Sequence, residues 1–336
     1  MLPSTPPQKT KRQAARAVRP LGAATGVLLF ALAQPSGWAR ELGVGDQYPP
    51  GLTLGIPTGA NLPPGIWMLN RASYYSSNVV DANGNDAGIS VTAPSASVQL
   101  SFVPGWTFLG ASYMAFIVQP AAQVTTRVGG VSNRIDGFPD TALSPVNLSW
   151  DLGNSWFVSA GFTFYGPDGS ISGPLSTSGI GANFWTFEPS VAVSYLGGGY
   201  DLTAHLIYET NTANPTTKYR SGDQLFLDLT ATKSFGKWEI GPVGYYTMQT
   251  TSDSDPNGVY AGLAAAGVPG IYSRPTAFAL GGLVGYDLDP ARLQVYATDE
   301  VFARYRTQGW KVWARMSFKL CCEEMPRNKK PAPAKR

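Results

Sequence analysis

Histidine occurs once in 336 residues, at His205, and cysteine twice, as the adjacent pair Cys321-Cys322. Adjacent cysteines staple no long loop, so the small disulfide-framework class is excluded. A vicinal disulfide or a pair of thiols remains open for them. With no other cysteine or histidine nearby, the pair alone makes no metal site. Charge is also scarce, at 14% of residues, yet mean hydropathy is only −0.07. Long apolar runs do not compensate. The stretch 21–33 (LGAATGVLLFALA) falls short of the ~20 residues that a membrane helix needs. At 43% hydrophobic residues the chain is too apolar for disorder. Residues that face lipid and water alternately average to this kind of balance.

What the chain does have is glycine, 38 residues, and proline, 27, which suit many turns. Lys9, Lys11, Arg12, Arg16 and Arg19 precede the apolar 21–33 stretch with no acid among them. Gly37-Trp38-Ala39 then offers small residues where a signal peptidase reads, so 1–39 is predicted to be a signal peptide cleaved after Ala39. Its removal takes the formal net charge from +3 to −2, so the basic balance gives no reason to expect nucleic acid. Residues 40–65 lack periodicity and carry Pro49-Pro50-Gly51 and Pro63-Pro64-Gly65. Kinked backbone of this kind is either a loose leader or a compact plug, and the plug is the reading adopted. Residues 321–336, rich in lysine and proline, read as a disordered periplasmic tail.

Between these ends the sequence alternates. In 183–209 (NFWTFEPSVAVSYLGGGYDLTAHLIYE), Trp185, Phe187, Val191, Val193 and Tyr195 fall on one face, and Thr186, Glu188, Ser190, Ala192 and Ser194 on the other. After the Gly197-Gly198-Gly199 turn, Leu202, Ala204, Leu206 and Tyr208 alternate with Asp201, Thr203, His205 and Glu209. Runs of about ten such residues with aromatic ends match tilted membrane-spanning strands. Strand segments are predicted at 66–76, 88–102, 106–118, 143–151, 155–165, 184–195, 200–210, 223–234, 238–250, 277–287, 292–302 and 309–320. Short connections (103–105, 152–154, 196–199, 235–237, 288–291) alternate with long ones (77–87, 119–142, 166–183, 211–222, 251–276), and only 303–308 breaks the rule. Short periplasmic turns and long external loops define an all-β, transmembrane antiparallel β-barrel of about twelve strands over 66–320. Both termini should then be periplasmic. Trp106, Trp150, Trp156, Tyr195, Tyr200 and Trp238 all sit beside the short turns, as one interfacial aromatic ring.

By the same alternation Arg71, Glu188, His205, Glu209, Asp228, Glu300, Lys311 and Arg315 point into the lumen. Opposite charges on neighbouring walls would form a network, either a gate or a rigid brace. His205 stands without a G-x-S-x-G elbow, so catalysis is not expected, and no metal, phosphate or dinucleotide motif stands out. Pro94, Pro189 and Pro242 fall inside strands, where each removes a ladder donor and should mark a bulge or kink. Such a kink is either harmless or a lateral exit for an apolar solute. The external segment 259–272 (VYAGLAAAGVPGIY) is expected to be an exposed apolar loop that gathers solute.

The motifs YPPG (48–51), LPPG (62–65), DANGN (81–85), NFWTFEPSVAVSYL (183–196), YDLTAHLIYETN (200–211) and SGDQLFLDLTATKSFGKWEIGPVGYY (221–246), with the closing strand to Phe318, carry a family resemblance. The chain resembles the meta-pathway phenol-degradation proteins, outer-membrane transporters distantly similar to those for long-chain fatty acids and aromatic hydrocarbons. The likeness spans 41–320, with the tail and the apolar loop as departures. It implies passive uptake of small hydrophobic and aromatic compounds, with no cofactor and no catalytic residues. The implied partners are outer-membrane lipid, those solutes and the outer-membrane assembly machinery. A diffusion pore for polar solutes and a structural or adhesive surface barrel remain as alternatives.

Overall fold

In the computed structural model the described residues are 41, 43–170, 180–268 and 270–321. The expected signal peptide and residues 322–336 of the expected tail lie outside them. The strands are β1 (Gly65–Val80), β2 (Asp86–Val103), β3 (Thr107–Phe108), β4 (Ala111–Val128), β5 (Val131–Gly137), β6 (Ala142–Gly153), β7 (Trp156–Tyr165), β8 (Thr186–Tyr195), β9 (Tyr200–Asn211), β10 (Gln224–Phe235), β11 (Trp238–Gln249), β12 (Thr276–Asp287), β13 (Ala291–Arg304) and β14 (Thr307–Cys321). All but the short β3 and β5 form one antiparallel ring of twelve. β14 returns to β1, and β2 pairs β4 past β3, so the sheet has no open edge. In lipid an open edge would strand its N–H and C=O groups without partners. No helix among the described residues is long and apolar enough to cross a membrane.

The wall is inverted relative to a water-soluble protein. Val191, Leu206, Leu280 and Val284 are exposed on the outside, while Glu188, Glu209, Asp228 and Arg315 are buried inside. Period two alone produces this. In β8, Ala192 and Ser194 face inward between the outward Val191 and Val193. At the short-turn rim Gly236 takes φ +60°, a left-handed turn conformation that needs no Cβ, between Phe235 and Lys237. Trp156 packs tilted against Tyr195 at 5.2 Å and Trp238 edge-to-face against Tyr286 at 4.7 Å there, so the aromatic ring lies where the sequence placed it.

Two segments depart from expectation. The third ring strand begins at Ala111, not at 106. Gly105, Leu109 and Gly110 all have positive φ and fold Thr107 and Phe108 back onto β4 as β3. The expected loop 119–142 is largely strand, because β4 continues to Val128 and β5 pairs with it, Val124 opposite Ile135. β1, β2 and β4 thus rise beyond the rest of the wall, past the ~9–11 residues that span lipid. Above that height polar side chains take both faces, with Thr126 buried and Arg127 exposed, and the hydropathic alternation that marked the other strands disappears. At the other end β14 includes Cys321, so the first residue of the expected tail belongs to the wall.

The long-loop end is capped by a small apolar cluster. Val79, Ile89, Val91 and Val124 from the tall strands meet Tyr219 and Tyr260 from the loops. Val259, Leu263, Val268 and Ile271 pack against that cluster, so part of the apolar external segment, expected to lie exposed, is drawn into the cap, while Ala261, Ala265, Ala266 and Tyr272 remain exposed. Its helix α1 (Ala261–Ala265) starts where the Asp255 carboxylate accepts from the backbone N–H groups of Val259 and Tyr260. Burying apolar side chains together is the physical reason for the correction: a cluster was within reach.

Candidate functional site: the occupied lumen

The N-terminal leader lies inside the ring. It is a chain of turns, closed by Leu52 N–H to Pro49 O (3.0 Å), Ile56 N–H to Thr53 O (2.9 Å) and Ala60 N–H to Pro57 O (2.9 Å). Its first described residue, Glu41, sits among the long loops, where Thr217 Oγ1 (2.6 Å) and Asn214 Nδ2 (2.8 Å) donate to its carboxylate. Burial pushes the Glu41 carboxyl above its ordinary 4.5, and those two hydrogen bonds with that of Tyr260 oppose the rise. Asn61, near the other end, donates to Ser112 O at 2.9 Å and accepts from Asn147 Nδ2 at 2.7 Å. The leader therefore runs the length of the lumen, from the long-loop rim to the short-turn rim. The expectation that both ends of the mature chain are periplasmic is corrected for this end, because Glu41 is held at the long-loop rim. Cys321, opposite Ile66, is at the short-turn rim as expected.

Four of the eight candidate charges, Asp228, Glu209, Arg315 and His205, fasten the leader. The Asp228 carboxylate accepts from Tyr48 OH (2.7 Å), Gly51 N–H (3.2 Å), Thr53 N–H (3.1 Å) and Thr53 Oγ1 (2.8 Å). Glu209 accepts from Tyr48 N–H at 3.2 Å. Arg315 donates to Leu54 O at 2.8 Å and also to Gln294, whose own amide donates to Gly55 O at 2.9 Å. Gly55 is obligatory at this point: its φ is +73°, and a Cβ would lie 2.2 Å from Leu283 Cδ1. His205 Nδ1 lies 3.0 Å from Thr53 Oγ1. Glu300 accepts from Tyr75 OH (2.6 Å) and Tyr245 OH (2.8 Å). Lys311 places Nζ over the rings of Tyr75 (4.8 Å) and Trp313 (5.6 Å). Arg71 donates from Nη2 to Gln99 at 2.8 Å. Glu188 is buried beside the cavity described below.

All eight candidates thus point inward. Two ion pairs in the lumen join other residues: Arg306 with Asp46 of the leader (3.0 Å) and Arg292 with Glu239 (2.7 Å). Neutral tyrosine, threonine and amide donors satisfy Asp228 and Glu300. Glu239 was findable from the sequence, since alternation puts it inward beside the outward Trp238. Asp46 and Arg306 lie in irregular segments, where no period assigns a face.

The three prolines are not bulges. Register is constant across Pro94 between β2 and β4, across Pro189 between β8 and β9, and across Pro242 between β10 and β11, while pairing lapses locally. A proline lacks its N–H towards one neighbour only, so the other ladder runs on: Tyr74 opposite Pro94, Phe162 opposite Pro189, Gly282 opposite Pro242. A register shift beside a proline occurs instead in β6, between Leu143 and Val146, at the unpredicted Pro145.

Bonds from β10, β13 and β14 draw the leader to that side, and a cavity of ≈ 370 Å³ remains between it and the opposite wall. Leu52 and Ile56 of the leader face it from one side, and Phe116, Val118 and Tyr165 from the other. Residues flanking Pro94 (Ala93, Ser95) and Pro189 (Glu188, Ser190) line it, and those flanking Pro242 do not. Among the described residues no cluster of three metal-binding side chains occurs.

A closed twelve-stranded ring with an apolar outer face and an occupied polar lumen is an outer-membrane β-barrel. Residues 72–316 match the family described as "Putative MetA-pathway of phenol degradation", and the chain belongs to that family. No curated protein sequence matches it. Among solved structures it is similar to an outer-membrane channel from Pseudomonas putida F1, at 12% identity and TM-score 0.66, over 77% of this chain and 96% of that one. It is also similar, at TM-score 0.45 and 11% identity, to the β domain of the Bordetella autotransporter Brka, over 76% of this chain and all of that one. The first likeness shows the shared fold, and the second carries no argument.

Proposed function

We propose that the protein is an outer-membrane channel for passive uptake of small hydrophobic and aromatic compounds, not an enzyme. The observation that supports this best is the leader-divided lumen. A leader running from rim to rim leaves a ≈ 370 Å³ cavity lined by apolar side chains such as Leu52, Ile56, Phe116 and Val118 together with charged ones such as Arg71 and Lys311, where a diffusion pore for polar solutes would need an open bore. That volume lies at the small end of ligand pockets, which start at about 300 Å³. Membership of the phenol-degradation family and the channel fold point the same way.

In this reading 1–39 is the cleaved export signal, 40–64 the plug, 65–321 the barrel inserted by the outer-membrane assembly machinery, and 322–336 a periplasmic tail. The inward charges Arg71, Glu188, His205, Glu209, Asp228, Glu300, Lys311 and Arg315 hold the plug and shape the path. Solute leaves sideways into lipid where the ladder lapses beside the cavity, at Pro94 or Pro189. Pro242 is the weaker candidate, since its neighbours do not line the cavity. The test compares vesicles with and without the protein. Uptake of a labelled alkylphenol should rise while swelling with small sugars should not. Faster sugar swelling with unchanged alkylphenol uptake would replace this reading with a polar diffusion pore.

A further inference from the structure

Three lumen arginines, Arg71, Arg306 and Arg315, have buried guanidinium nitrogens with no hydrogen-bond partner, and Arg71 alone of the three has two of them. Arg71 is only 4% exposed and lines the cavity from β1. Its Nη2 donates to Gln99, but Nε and Nη1 are buried with no hydrogen-bond partner. Burying a guanidinium this way is costly unless something polar meets it. Nothing on the neighbouring wall does. The residue opposite on β14 is Arg315, a like charge already committed to Leu54 O and Gln294. Of the other cations on the cavity, Lys311 lies over aromatic rings and Arg306 pairs with Asp46.

Four acids share the cavity: Glu188 lies on β8, five strands round the ring from Arg71 on β1, and the other three are engaged elsewhere. Glu300 takes the hydroxyls of Tyr75 and Tyr245, and Asp46 pairs with Arg306. Asp140 accepts from Gln47 and from the backbone N–H groups of Gly169 and Ala182. The same cavity is lined by the apolar side chains of Phe116, Val118, Leu52 and Ile56. A guanidinium with unused N–H donors in a cavity that also has apolar lining is complementary to a flat ring carrying one negative oxygen group.

We propose that Arg71 is the recognition group for aromatic anions, carboxylates or phenolates, which dock with the charged oxygens on its unused N–H groups and the ring against the apolar wall. The assignment rests on the channel reading and narrows its solute class. It also accounts for the retention of a buried, unpaired cation in a passage for apolar rings.

Binding to the purified full-length protein in detergent, read by quenching of tryptophan fluorescence (Trp313 lines the cavity), tests it with three probes. Sodium benzoate carries ring and charge, benzamide the ring alone, and acetate the charge alone. Benzoate should bind about tenfold or more tightly than either of the others. Arg71→Gln should abolish that preference while leaving benzamide binding unchanged, and Arg71→Lys should keep part of it. Benzamide equal to benzoate, or a preference that survives in Arg71→Gln, overturns the assignment. Acetate equal to benzoate overturns its aromatic part. The wild-type comparison decides even if the variant fails to assemble. Uptake of neutral benzyl alcohol into vesicles reports on the channel separately. Benzyl alcohol transport without a benzoate preference sinks only the Arg71 site, and a benzoate preference without transport sinks only the channel.

Discussion

Replacing Asp228 by alanine should release the leader. The Asp228 carboxylate receives four hydrogen bonds from three leader residues, and the site is almost fully buried. A hydrogen bond to a charged group contributes about 1.5–3 kcal/mol, and a buried donor left unpaired costs about 1–3 kcal/mol. Tyr48 OH and Thr53 Oγ1 can turn to other acceptors in the space vacated. The backbone N–H groups of Gly51 and Thr53 cannot. Counting only those two gives a loss of about 3–6 kcal/mol, roughly a hundredfold to ten-thousandfold in the ratio of docked to undocked leader. Asp228→Asn is the internal control. Its carbonyl can replace Oδ2, which takes three of the four bonds, so only Gly51 N–H faces the new amide, a loss of about 1–3 kcal/mol. The readouts are single-channel conductance in planar bilayers and protease access to 48–59 in the folded barrel. Conductance and cleavage should both rise in the order wild type, Asp228→Asn, Asp228→Ala. Equal behaviour of all three would refute the claim that this carboxylate holds the leader.

The Arg306–Asp46 pair is nearly enclosed, so Arg306→Leu should leave an uncompensated buried carboxylate and cost about 3–5 kcal/mol. The compact form on an unboiled denaturing gel should be lost at a lower temperature than in the wild type, and an unchanged transition would count against the pair. Glu41 gives a pH dependence of defined sign. Burial lifts its pKa when docked, so the docked state binds the proton more tightly than the free leader does. Docking of the outer end is then favoured in acid and weakens as pH rises from 4.5 through the raised value. Amide protection at 43–47 should be greater at about pH 5 than at about pH 8. Glu41→Gln should hold the protected state at both, and a slope of the opposite sign, or one that persists in the variant, would refute the argument.

The ring was legible because its signal is local. In β9 the period of two assigns Leu202 and Leu206 outward and Thr203 and Glu209 inward without knowledge of any other strand. The turn at Gly236 announces itself in the same way. The signal fails where the buried face is itself polar, as at Thr126 beside the exposed Arg127, so these residues read as loop while the backbone continues as β4. The inward direction of all eight candidate charges followed from parity, but their partners did not. Asp228 meets Tyr48 from 180 positions away, and no pattern within either segment says so. Nor could alternation tell a proline that suspends one ladder, as Pro189 does, from one that shifts register, as happens beside Pro145.

The fastening of the leader also sets an order of events. Gly55 N–H reaches Thr230 across 175 positions, Gln294 reaches Gly55 O across 239, and Arg315 reaches Leu54 O across 261. Each of these bonds needs a residue near the far end of the chain. The leader is synthesised ahead of every strand, yet its principal anchors do not exist until β10, β13 and β14 have been made. Synthesis and docking therefore run in opposite directions along this chain. Long-range closures of this kind are favourable only once the intervening structure has shortened the loop they close. Until β14 arrives, the segment that will occupy the interior has no Arg315 to hold it, and the strand that completes the wall also brings the last clamp on its contents.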